Sequence, residues 1–156
     1  MSAPTIPAGT WNLDPTHTHV GFTVRHMMVA KVRGSFADYS ADITIGENPL
    51  DSSLAVTVQM ASIDTGNADR DGHLRTNDFF AIDEHPTMTL VSTGIEPKGD
   101  DFVLHADLTI KGVTKPVDFD LEFAGTGQDP WGNTKAGFSA TATINRKDFG
   151  IEWNAP

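Results

Sequence analysis

Two groups of residues in this sequence are of types that could do chemistry. His17 and His19 stand two apart, so on a strand their imidazoles would share a face, a spacing at which histidine pairs bind zinc on some sheets. Arg70, Asp71, His73, Arg75 and Asp78 form the densest polar cluster. They could act as an acid/base site or cradle a pyrophosphate, because arginine offers paired donors to phosphate. Neither group is complete: no third metal ligand is assured beside the histidines, and no nucleophile or partner base stands at a defined spacing from the cluster. With no cysteine in the chain, disulfides, thiolate nucleophiles and zinc–sulfur sites are excluded. The simpler expectation is hydrogen-bonding histidines and a set of salt bridges and helix caps, with Arg70 and Arg75 as candidates to touch an anionic head group. A metal-dependent or acid/base enzyme built on these two groups is the alternative; the main expectation is no enzyme, no cofactor and no metal.

The elements that must position these residues have a period of two. Val20, Phe22 and Val24 alternate with Gly21 and Thr23, and Tyr39, Ala41, Ile43 and Ile45 alternate with Ser40, Asp42 and Thr44. The same pattern recurs at Leu54, Val56, Val58 and Met60, at Phe102 through Ile110, at Val117 through Phe123, and at Ala136 through Ile144. Turn-forming clusters at 46–51, 98–101, 112–116 and 125–133 separate the runs, and such short connections favour antiparallel neighbours. Segment 64–80 is the one linker with helical character. Asn67 suits its N-cap, Asp69 and Asp71 suit the positive end of a helix dipole, and Gly72 keeps it short. Leu74, Phe79 and Phe80, its large apolar residues, are expected to cap an opening in the sheet.

Closing long alternating strands into a barrel removes their exposed edges, so the expected fold is all-β, an extended antiparallel barrel of about eight strands with one short helical insertion. Residues 1–9 read as a tail and 10–156 as the barrel domain. The net charge of −10, from 11 basic against 21 acidic residues, opposes contact with a phosphate backbone, so no nucleic-acid partner is expected. The first ten residues carry no basic segment followed by an apolar run, which places the chain in the cytoplasm unless a leader has been removed, in which case it would be secreted or periplasmic.

The ordered motifs resemble those of the YceI-like family, lipocalin-like polyisoprenoid-binding proteins. They are Leu13-Asp14 and His17, Phe22-x-Val24-x-His26, Gly34-x-Phe36, Ile63-Asp64-Thr65, Arg70-Asp71-x-His73-Leu74-Arg75 and Asp78-Phe79. His85-Pro86, the run from Asp107 to Val117, Asp129-Pro130-Trp131-Gly132, Ala136-Gly137-Phe138 and Lys147-Asp148-Phe149 follow. The resemblance implies an eight-stranded barrel open to a channel for a polyprenyl chain, an isoprenoid quinone or another long lipid, held for transport or storage. Relatives continue past the Lys-Asp-Phe motif into a further long strand. Its absence would leave a seam to be closed by segment 10–13 or by a neighbouring molecule, which puts a homodimer among the expected partners and makes a self-associating interaction module, pairing through the open barrel edge, a further alternative function.

Shared faces then nominate the ligand-binding wall: Phe22, Val24, Val58, Leu90, Leu108, Phe119 and Phe138, with His26 at the end of the first run and Leu74 and Phe79 at the lid. Met27, Met28, Met60 and Met88 add side chains soft enough to fit an irregular ligand.

Overall fold

The computed structural model describes residues 6–14, 17–26 and 30–151, and for residues 25, 26 and 30 the backbone alone. Along the chain lie β1 (Gly9–Trp11), β2 (Val20–His26), β3 (Ala30–Phe36), β4 (Tyr39–Ile45), β5 (Ser53–Gln59), β6 (Ile63–Asp64), helix α1 (Ala68–Leu74), β7 (Thr87–Lys98), β8 (Asp101–Ile110), β9 (Val113–Gln128) and β10 (Thr134–Thr141). Eight of the strands have seven or more residues. Every pairing is antiparallel, as the short turns require. The strands form two sheets, one in the order β1-β4-β5-β7-β8-β9-β10 and one in the order β2-β3-β6. Together they make a curled half-barrel rather than a fully laddered cylinder. Among the described residues no ladder joins β10 to β2.

Alternation explains which face is buried. On β8, Phe102, Leu104, Ala106, Leu108 and Ile110 are buried while the residues between them are not. Register carries that face across the sheet: Leu104 lies opposite Phe119, Ala106 opposite Val117, and Leu108 opposite Leu90. Two further strands break the alternation and were not legible from it. In β7 a register shift between Ser92 and Gly94 interrupts the period after Met88 and Leu90. In β3, Gly34 holds an inward position where a Cβ would collide with the ring of Phe22, so a space that would normally show an apolar letter is filled from the neighbouring strand.

Three expected boundaries move. The turn expected at 112–116 tightens to Lys111 and Gly112, whose φ values of 53° and 76° make the reversal, and Pro116 sits inside β9. The turn expected at 125–133 shortens because β9 runs on to Gln128. The last run ends at Thr141, short of Ile144. Helix α1 forms where expected: Asn67 Oδ1 accepts from the N–H of Arg70 at 3.0 Å and caps it.

Two packed clusters sit where β2, β4, β7 and β9 begin, while burial continues along β8 to Phe102 and on β4 to Ile45. Phe36, Val58, Met60 and Ile63 form one buried cluster, against which Val20, Phe22, Leu74 and Phe80 pack. Leu108, Ile110, Phe149 and Ile151 form a second, joined by Phe79, Leu90 and Val117. Phe80 and Met88 touch both clusters and so join them.

Candidate functional site

The Arg70–Asp78 cluster is built as a clasp. Asp71, only 7 % exposed, accepts from the backbone N–H of Thr65 at 3.0 and 3.2 Å and from the Thr65 hydroxyl. Arg70 donates from Nε to that hydroxyl and from Nη2 to the Thr65 carbonyl, both at 2.8 Å. Arg75 donates to the carbonyls of Ala61 and Ile63 at 3.1 and 3.3 Å. The guanidinium donors expected to meet an anionic head group are thus spent, at least in part, on tying α1 to the chain around β6. His73 contacts Asp78 at 2.8 Å and stands edge-on to Phe79, with ring centroids 5.0 Å apart, which helps hold that ring in place. Asp71→Ala would leave the Thr65 N–H and hydroxyl without their acceptor. It is expected to destabilise the fold by about 1.5–3 kcal/mol in urea unfolding, with Asp71→Asn recovering part of the loss.

His17 and His19 do not lie on a strand, since β2 begins at Val20. His17 Nδ1 meets Asp14 at 2.9 Å, and the His19 ring lies over Gly21. Among the described residues no group of three or more His, Asp or Glu side chains is placed to hold a metal ion.

The apolar face of the sheets continues past the packed clusters. Val24 shares a face with Phe22 yet is 47 % exposed, and Phe138, paired with Phe123 across the β9–β10 ladder, is equally exposed. The Phe123 and Phe138 rings are 5.2 Å apart and tilted by 45°. Phe119, Leu121 and Phe123 are half-buried, and their register partners Leu104 and Phe102 form the floor beneath the first two. Beyond the end of β10, an open cleft of about 620 Å³ is lined by Lys115, Val117, Ile144, Asn145 and Phe149 among others. These partly uncovered apolar side chains are the surface among the described residues best suited to a ligand.

The expected wall residues divide between the two regions. Val58, Leu74, Phe79, Leu90 and Leu108 belong to the packed clusters, with Phe22 against the first of them. Val24 and Phe138 are exposed and Phe119 is half-buried, outside both packed clusters. Met60 and Met88 are in or against the core, while Met27, Met28 and the side chain of His26 lie outside the described residues. Periodicity alone could not make this division, because it assigns a face and is silent about depth along the barrel. Leu121, Phe123 and Ile144 were legible as apolar positions but not as wall residues, since their exposure depends on where β10 stops.

One polar arrangement depends wholly on register. His105 on β8 lies opposite Asp118 on β9 and receives Glu96 from β7, with Nδ1 2.6 Å from Asp118 and Nε2 3.3 Å from Glu96. The hydrogen bond to Asp118 raises the His105 pKa most; partial desolvation opposes it, and the charges of Asp118 and Glu96 add to it. Because the folded value is raised, the contribution to stability is full below the ordinary 6.5 and is lost as pH rises through the folded value. The stability advantage of the parent over His105→Gln is therefore expected to shrink as pH rises above the ordinary 6.5 in urea unfolding, whereas an advantage that grew with rising pH would contradict the assignment.

The sequence pattern of the YceI-like domain family matches residues 11–156. Protein YceI of Escherichia coli is 38 % identical over 155 residues, which span 97 % of this chain and 81 % of that protein. The crystal structure of the Campylobacter jejuni YceI protein superposes with a TM-score of 0.72 at 37 % identity, covering 90 % of this chain and 83 % of the other. A polyisoprenoid binding domain from Saccharophagus degradans shares the fold, with a TM-score of 0.56 at 17 % identity over 76 % of this chain and 69 % of that one. With most of its length matched by the family pattern and by relatives of this similarity, the chain belongs to the YceI-like domain family.

Proposed function

We propose that this protein binds a long apolar ligand, an isoprenoid chain or a lipid of similar shape, in the trough between β2 and the β9–β10 ladder, and acts as its carrier or store. The observation that carries the reading is the half-exposure of Phe138 and Val24 on the face that elsewhere forms the core. Aromatic and branched side chains on a buried-type face lose contact with water only when something covers them, and a flexible hydrocarbon tail does so without needing polar partners. Each methylene buried contributes about 0.8 kcal/mol, so a few isoprene units suffice for useful affinity. The polyisoprenoid-binding description of the Saccharophagus degradans domain, which has the same fold, supports this ligand class. The engagement of Arg70 and Arg75 by protein acceptors favours a reading in which the tail dominates affinity and the head group contributes little.

Titration with a prenyl quinone, followed by quenching of tryptophan emission, tests the proposal. Saturable quenching whose affinity rises with the number of isoprene units is expected. Quenching that is absent, or that tracks the quinone ring and ignores tail length, would overturn it.

A further inference from the structure

We propose that the turn joining β9 to β10 is a membrane-contact element that seats Trp131 at the surface of a neutral phospholipid bilayer, from which the ligand is exchanged. This rests on the apolar-ligand reading above and adds the partner that supplies the ligand. Trp131 is 83 % exposed, more than any other large hydrophobic side chain among the described residues. The turn that displays it is nevertheless closely held. The Asp129 carboxylate accepts from the N–H groups of Trp131 and Asn133, each at 2.9 Å, and from the Asn133 side chain at 3.2 Å. The Asp129 N–H donates to the Asn133 carbonyl at 2.9 Å, and the Gly132 N–H donates to the Asp129 carbonyl at 3.0 Å. A turn ordered to this degree fixes the direction of an indole that the described chain leaves largely uncovered, and an indole has an apolar body and one polar N–H, the combination that settles at a membrane–water boundary.

Charge identifies which membrane. From Gln128 to Thr134 the one charged residue is Asp129, and its side chain, 13 % exposed, is turned in to hold the turn. Lys135 beside it sits between Asp129 at 3.8 Å and Asp14 at 3.1 Å. The tip thus presents Gln, Pro, Trp, Gly, Asn and Thr on a chain of net charge −10 that an anionic surface would repel. Position completes the case. β9 leaves the packed clusters at Val113, runs past its last pairing with β8 at Leu121 and reaches the turn after Gln128, with Phe123 and Phe138 on the same hairpin. A tail that moved between bilayer and trough at this contact would not have to cross open water.

The test compares the parent with Trp131→Ala and Trp131→Phe by co-flotation with phosphatidylcholine vesicles. Farnesol binding in the absence of vesicles is measured alongside. Burial of an indole side chain predicts at least about a tenfold drop in vesicle partitioning for Trp131→Ala, a smaller drop for Trp131→Phe, and weaker partitioning of the parent once phosphatidylglycerol is mixed into the vesicles. Farnesol affinity is expected to change less than about twofold, since the contact lies outside the trough. Partitioning that is absent in the parent, or unchanged in Trp131→Ala, would overturn the membrane contact, and a protein partner would be indicated if Trp131→Ala altered only protein association. Failure of every form to bind farnesol would instead overturn the ligand reading on which the contact rests.

Discussion

Phe149→Ala is expected to destabilise the protein by about 3–5 kcal/mol, the largest effect of any single truncation in this fold. Phe149 is 2 % exposed and sits in the buried cluster with Leu108, Ile110 and Ile151, against the rings of Phe79 and Phe80. It lies in a short 3-10 turn, Arg146–Phe149, capped by Asn145 and ended by Gly150 at φ 76°. Truncating it opens a cavity where the last described turn closes over β8 and the start of β9, and those strand residues have no freedom to move in and fill it. For a chain of this length the loss corresponds to a fall in Tm of roughly 6–20 °C. A change below about 1 kcal/mol would mean that this turn packs against the sheet only loosely.

Phe138→Glu is expected to lower affinity for a prenyl ligand by at least about a hundredfold while leaving Tm close to that of the parent. The two effects separate because Phe138 is 47 % exposed without ligand, so a carboxylate there can remain hydrated in the free protein. Once a hydrocarbon tail covers Phe123 and its neighbour, the same carboxylate must lose its water, which costs several kcal/mol. Val58→Ala is a useful contrast. Val58 is 3 % exposed within the packed cluster, so its truncation is expected to lower stability and to affect ligand affinity only through the fold. Equal ligand affinity for Phe138→Glu and the parent, measured by quinone titration, would remove the trough from the account.

Much of this architecture was readable in the chain because alternation on β4, β8 and β9 is strict and the turns between them carry Gly, Asn and Pro. The start of α1 was readable for a separate reason: Asn67 and the acidic first turn are local signals. β3 and β7 were hidden by features that exist only between strands, the ring of Phe22 over Gly34 and the register shift at Ser92. The candidate site was half legible. Alternation places Phe119 and Phe138 on the inward side, but it gives Leu108 and Val58 the same mark, and the reach of the two packed clusters decides which of them stay uncovered. The polar cluster was only half legible, for a physical reason. The chain shows two arginines and their donors, and the fold directs some of those donors to the carbonyls of Ala61, Ile63 and Thr65. Conversely, His105 gave no signal on its own, since the carboxylates that grip it come from positions 96 and 118 on the two flanking strands.

The membrane contact and the trough make separable demands on one hairpin. In the proposed scheme Trp131 at the tip, 83 % exposed, would govern access to a bilayer and Phe138, 47 % exposed, retention of the tail, so a protein lacking the first should still bind a short prenol, and one lacking the second should still float with vesicles. The Asp71 clasp and the Phe149 turn hold the packed clusters that both depend on.

The most direct measurement of the central claim is native mass spectrometry of the protein as purified from cells, with organic extraction of the same sample. The account predicts an added mass that disappears on extraction and is recovered as an isoprenoid or similar long-chain lipid, and that is absent from Phe138→Glu. A protein of bare polypeptide mass that gains none when offered a prenyl quinone would contradict it.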